Sequence, residues 1–231
     1  IIQQALGGAG EPIHSPILPG FLGYNATIRG LALDPTAAGK QLDAAGWTWL
    51  AGDAVRKKSG KELRFSLSTV DRAEYTKTAE LLRQSWMKIG VGLEVRLYSS
   101  NDILKKVIQP RDYEALLFGE IIGVDPDPYP FWHSSQSYDP GLNLAIFYNK
   151  QVDQLLEEAR QTNDLEKRRL MYLQFQNILA DEEPAIFLYN PYYLYALPKK
   201  MKGFTITRIS VPSDRFIGIE GWYIKTQRGW R

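Results

Sequence analysis

Cysteine is absent from this chain. That excludes disulfides and thiolate metal sites, and it suits an exported protein that avoids mispaired thiols. Histidine is nearly absent too. His14 and His133 stand far apart in sequence, without the further ligands that a metal site demands. No stretch approaches the roughly 20 consecutive apolar residues of a membrane-spanning helix. A large charge excess is also missing: the net charge of +2 gives no strong pull toward nucleic acid or an acidic membrane, and no nucleic-acid partner is expected. Gly7-Gly8-Ala9-Gly10 lacks the Lys-Ser/Thr of a phosphate-binding loop. No internal repeat, heptad run or low-complexity tract occurs, and no Ser–His–Asp or Cys–His arrangement can be assembled.

What is present is a folding chain. Hydrophobic residues make up 44% and charged residues 23% of the 231 positions, enough apolar side chains for a sizeable core. Ile1 to Leu6 reads as the last turns of a helix stopped at Gly7-Gly8, with no basic or apolar leader. A longer parent chain is therefore expected. Asp34 caps a helix with Pro35 at its first position, and Gly46 ends it. Leu63, Phe65 and Leu67 alternate with polar residues as in a strand. Tyr75, Ala79, Leu82, Trp86 and Ile89 share one helical face over about residues 72–89, and Gly90 stops that helix. Val91, Leu93, Val95 and Leu97 alternate again. A short helix over 101–108 and an apolar strand over 113–118 complete a strand–helix–strand alternation, the mark of an α/β layer.

Residues 119–149 carry four prolines and no period, and read as a long loop of the kind that is often functional. Two helices follow, one lined by Val152, Leu155, Leu156 and Ala159, the other capped by Asp164 and running to about Asp181. Pro184 ends it. Residues 185–197 are expected to form one or two tyrosine-rich strands, and the tail from Lys199 short strand-like pieces. Lys199, Lys200 and Lys202 read as a solvated surface.

The densest functional candidate is the stretch from Gly119 to His133. Its prolines restrict the backbone, so less entropy is lost when a ligand orders it. Glu120, Asp125 and Asp127 could accept hydrogen bonds from an amine or from sugar hydroxyls. Tyr129 and Trp132 could stack on a ring or cover an apolar group. The bland alternative is that the aromatics are core and the carboxylates cap turns. Asp125 and Asp127 also leave open a glycoside hydrolase with paired carboxylates. A third reading is an interaction domain that takes no small ligand.

Several segments, in order, resemble the extracellular solute-binding proteins of family 5, which serve peptide, nickel and related ABC importers. Asp34-Pro35 with Ala44-Ala45-Gly46-Trp47 resembles that family's helix ending in A-G-W. Gly60-Lys61-Glu62-Leu63 resembles its G-K-x-L strand. Ala79-Glu80-Leu81-Leu82 through Ile89-Gly90-Val91 resembles its helix-to-strand junction. Tyr113-Glu114-Ala115 through Gly119, then Pro126-Asp127-Pro128, resembles its strand and cleft loop. Asn143 with Asn149, Val152, Asp153 and Leu156 matches N-x-x-x-x-x-N-x-x-V-D-x-L. Ala180 to Pro184 and Lys202-Gly203 match its closing segment. The resemblance covers nearly the whole chain but only the C-terminal half of such a protein.

The resemblance implies an α/β fold: a periplasmic-binding-protein-like lobe, a mixed sheet flanked by helices, over residues 1–190. Residues 191–231 would cross the hinge and return to the first lobe. It implies a monomeric, non-enzymatic protein outside the cytoplasm, in the periplasm or as a cell-surface lipoprotein. Two lobes would close on a peptide, an oligosaccharide or a related solute, without a cofactor, and dock on an ABC permease. Glu120, Asp125, Asp127, Tyr129, Trp132 and Asn143 would be its ligand-binding residues. The chain departs from the peptide-binding pattern W-x-x-D-Y. Aligned on Pro126-Asp127-Pro128, the Trp falls at or beside Glu120 and the amine-pairing Asp at Val124. Asp125 lies one residue later.

Overall fold

The computed structural model describes residues 1–123 and 125–224. The chain opens with helix α1 (Ile2–Leu6), closed by Gly7 in the left-handed conformation at φ 60°. Strand β1 (Gly10–Pro12) follows. Helix α2 (Pro35–Ala44) starts as its sequence dictates: the Asp34 carboxylate accepts from the Ala37 N–H at 2.8 Å, and Pro35 occupies the first turn. It buries none of its residues. A small hairpin, β2 (Lys57–Lys58) and β3 (Lys61–Glu62), leads into the central strand β4 (Arg64–Val70).

Helix α3 (Ala73–Met87) connects β4 to β5 (Gly92–Tyr98), with which β4 pairs in parallel from Arg64 opposite Gly92 to Val70 opposite Tyr98. Such a crossover is what a parallel pair requires. After β5, the one-turn helix α4 (Ser100–Asp102) runs directly into a π-helical turn over Ile103–Ile108, the short helix that the sequence signals. Strand β6 (Ala115–Leu117) then pairs in parallel with the other edge of β4, giving the order β5-β4-β6. Among the described residues, parallel pairing is confined to this sheet. Antiparallel pairing occurs in separate two-stranded ladders.

As the central strand, β4 is covered on both faces from Ser66 onward. On one face Leu67 packs with Ala79, Leu93 and Leu117, joined by Tyr75, Leu82 and Trp86 of α3. On the other, Val70 packs with Ile103, Val107 and Ile108. Two of its buried polar side chains are hydrogen-bonded across the sheet. The Ser66 hydroxyl donates to the Glu114 carboxylate at 2.7 Å, and the Thr69 hydroxyl to the Leu117 carbonyl at 2.8 Å.

The largest cluster lies outside the sheet, between α6 (Lys150–Gln161) and α7 (Leu165–Glu182). The Asn149 side-chain oxygen caps α6 and Asp164 caps α7. Val152, Leu155, Leu156 and Ala159 of α6 meet Tyr172, Phe175 and Leu179 of α7. The stretch before them is not wholly irregular: Tyr129–Trp132 forms the one-turn helix α5, with Pro130 at its start, where a missing N–H costs nothing. Residues 13–25 wrap back onto α7. There the Gln176 amide donates to the Gly23 carbonyl at 2.7 Å, and the Gly23 Cα lies so near Tyr172 that a Cβ would clash at 2.5 Å.

Past α7, Tyr189–Pro191 forms β7, antiparallel to β1 with Gly10 opposite Pro191. The rest of the tyrosine-rich segment 185–197 forms no strand, because no other strand lies beside it to take its backbone hydrogen bonds. A last small ladder joins β8 (Met201–Lys202) to β9 (Tyr223–Ile224). No described residue after Leu179 is buried.

Phe175 sits at the centre of the α6–α7 cluster and is fully buried. Phe175→Ala should therefore cost about 3–5 kcal/mol. Leu31→Ser, at a position 86% exposed, should change stability by less than about 0.5 kcal/mol. Urea denaturation of the two variants checks both.

Candidate functional site

In open α/β sheets, ligands collect beyond the carboxyl ends of the parallel strands. Here the carboxyl end of β6 leads through Phe118 directly into the acidic, proline-rich loop. Phe118 and Ile121 are exposed, unusual for large apolar side chains next to a core strand. The start of the loop lies close to α3: a Cβ on Gly119 would stand 2.8 Å from the Tyr75 hydroxyl. Nearby on the same helix, the Thr78 hydroxyl lies 3.0 Å from that of Tyr189 on β7.

The six candidate residues do not form one constellation. Glu120 is exposed by surface area, and among the described residues its carboxylate has no hydrogen-bond or ion-pair partner. Protein nevertheless crowds the carboxyl group. It borders a concavity of about 210 Å³, open to solvent, whose other walls include Ile17, Ile122, Pro126, Phe131 and Trp132. Desolvation there pushes its pKa up to about 7.

Asp125 and Asp127 are engaged by arginines. Arg168 of α7 reaches Asp125 at 2.9 Å. Arg160 of α6 donates from Nε to both carboxylate oxygens of Asp127 at 3.1 Å. Neither is presented as one half of a free acid–base pair. Tyr129 lies between Arg160, whose Cζ is 3.8 Å from the ring centroid, and the His133 ring, stacked at 4.1 Å. Trp132 is buried against Phe175 and Phe187. Asn143, fully buried, donates to the His133 and Phe147 carbonyls and accepts from the Phe147 N–H. Trp132 and Asn143 therefore act inside the fold. Val124, where the peptide-binding pattern would put its Asp, lies outside the described residues.

Sequence reasoning missed Arg160, Arg168, Tyr75 and Tyr189. The two arginines sit on polar helix faces like many surface cations, and only the docked loop singles them out. His133, read as an isolated histidine, is buried, with Nε2 3.2 Å from Glu157 and Nδ1 accepting the Ser135 N–H at 3.1 Å. Among the described residues no group of three His, Asp or Glu side chains could hold a metal. Nor is any helix long and apolar enough to cross a membrane.

This architecture, a parallel sheet walled by helices with a proline-rich acidic loop leaving one strand's carboxyl end, is that of a periplasmic-binding-protein lobe. The chain belongs to the bacterial extracellular solute-binding proteins, family 5, whose profile for the middle region matches residues 1–143. It is 26% identical over 228 residues to the oligopeptide-binding protein AppA of Bacillus subtilis (strain 168), covering 97% of this chain and 41% of that protein. It is 26% identical over 230 residues to the dipeptide-binding protein of Escherichia coli (strain K12), covering 95% and 40%. The structure of AppA in complex with a nonapeptide superposes with a TM-score of 0.79 over 97% of this chain and 44% of that one, at 26% identity. NikZ from Campylobacter jejuni, in complex with Ni(L-His), shares the fold at 24% identity and a TM-score of 0.75. The chain thus spans about two fifths of the length of these curated relatives.

The raised Glu120 pKa has a consequence for stability. The folded state holds this proton more tightly than the unfolded chain, whose glutamate titrates near 4.5. The site's contribution is therefore fully present below pH 4.5 and is lost as pH rises through about 7. Glu120→Gln, neutral throughout, removes that loss. Its thermal midpoint relative to the unmodified protein should rise between pH 4 and pH 8. A difference that stays flat across this range would contradict the assignment.

Proposed function

We propose that residues 1–190 form one lobe of an extracytoplasmic solute-binding protein that delivers its ligand to an ABC permease. Residues 191–231 cross back toward a second lobe, although 225–231 lie outside the described residues. The observation that carries this reading is the pairing of β1 with β7. The chain enters and leaves the α/β body side by side, on an antiparallel pair, which is the connection a hinged two-lobe protein needs. The exposed tail adds support. Tyr193, Tyr195, Phe204 and Trp222 stack on one another, yet each stays at least partly open to solvent.

In this reading the protein works in the periplasm or as a cell-surface lipoprotein, as a monomer, with neither cofactor nor nucleic acid. It binds without turnover, since Asp125 and Asp127 are held by arginines rather than poised over a substrate. The solute is a peptide, with an oligosaccharide as the other candidate. The six acidic, aromatic and amide residues take different parts in the cleft edge. Glu120 makes the direct contact, as a free acceptor for an amine or hydroxyl. Asp125, Asp127, Tyr129, Trp132 and Asn143 fix the loop that carries it. The concavity beside Glu120 is open to solvent and encloses little space, as one wall of a cleft would.

Calorimetric titration of the protein that carries this chain, against mixed peptides and oligosaccharides, tests the proposal. We expect saturable binding without product formation. Glu120→Ala should weaken it roughly ten- to hundredfold, the loss of one charged hydrogen bond. The isolated chain should bind at least about tenfold more weakly, because water reaches its polar contacts from the open side. Equal affinity of the isolated chain, or sustained turnover, would overturn the reading.

A further inference from the structure

Two arginines, one on each helix of the α6–α7 pair, converge on consecutive acids of the cleft loop. Arg160 closes on Asp127 through Nε and Nη2 and lies over the Tyr129 ring, so its charge is held from two sides. Arg168 pairs with Asp125. One turn further along α7, the Tyr172 hydroxyl donates to the Pro126 carbonyl at 2.9 Å in a buried bond. The segment Asp125-Pro126-Asp127-Pro128 is therefore tied at three successive residues to a rigid helix pair, with two prolines limiting what freedom is left. Directly before it, Glu120 and its neighbours have no comparable ties among the described residues.

We propose that Arg160 and Arg168 are positioning residues: they anchor the acidic loop on the helix pair so that the segment 119–123 is presented to solute in a single pose. This rests on the binding-lobe reading above. A lone exposed ion pair adds little to global stability, and both Arg160 and Asp127 are over 40% exposed. The pairs therefore act locally. Their loss should loosen the loop without unfolding α6 and α7. A loosened loop must be reordered when solute binds, and affinity falls by that ordering cost.

The test uses the protein that carries this chain, with Arg160→Met, which keeps the stem over Tyr129, and a charge swap combining Arg160→Asp with Asp127→Arg. Amide hydrogen exchange is read over 119–125 and, separately, over α6 and α7. We expect exchange in the loop to speed up roughly tenfold in Arg160→Met, with helix exchange and thermal midpoint unchanged. The swap should return the loop toward its original rate. Affinity for an equimolar mixture of dipeptides to nonapeptides should fall several-fold in Arg160→Met and recover in the swap. Unchanged loop exchange, equal acceleration of loop and helices, or a swap that restores neither readout would overturn the proposal. If the unmodified protein captures no peptide from the mixture, the peptide reading fails, while the exchange data still decide whether the arginines anchor the loop.

Discussion

The seating of Trp132 between Phe175 and Phe187 is the contact on which the candidate site depends. A proline-rich loop cannot hold itself in place, because each proline removes an N–H that could have closed a turn or joined a ladder. This loop borrows its rigidity from elsewhere. The indole goes into the core between α6 and α7. The Tyr172 hydroxyl takes up the Pro126 carbonyl, and Asn143 takes up the His133 carbonyl from the far side. With the loop's C-terminal half immobilised in this way, its N-terminal half can stay open at the carboxyl end of β6. The acids closest to the anchor are spent on arginines, and the acid farthest from it, Glu120, has no partner among the described residues.

The sheet and the helix pair divide the work. The parallel strands β5, β4 and β6 are buried by α3 on one face and by the π-helical turn on the other, and they end at one edge. The α6–α7 pair forms a second core beside them, and residues 13–25 strap across it through Gln176 and Gly23. The first strand and the seventh leave together as an antiparallel pair. Beyond that point the described chain buries nothing, and its aromatic residues stay half-open. Apolar groups in that state stabilise little until another surface covers them.

Helix boundaries were legible because their causes are local. Asp34-Pro35 and Asp164 cap within three residues of themselves, and Gly7, Gly46 and Gly90 stop helices with positive φ. The alternation of Leu63, Phe65 and Leu67 marked a strand, but the burial of Ser66 and Ser68 opposite them was hidden, since polar residues gave no sign of a covered second face. The tyrosines of 185–197 looked like strand by propensity. Only three residues there pair, because a strand exists through its neighbour and not through its own sequence.

The candidate site divides along the same line. Composition alone marked residues 119–133 as the densest candidate stretch, and the order of short motifs pointed to the family. Where each residue sits was decided by contacts across long sequence separations. Asp127 meets Arg160 and Asp125 meets Arg168. Trp132 disappears into the core, and Glu120 stays exposed. A carboxylate's role depends on which charge comes within hydrogen-bonding reach once helices pack, and that is a property of the tertiary fold rather than of any local pattern.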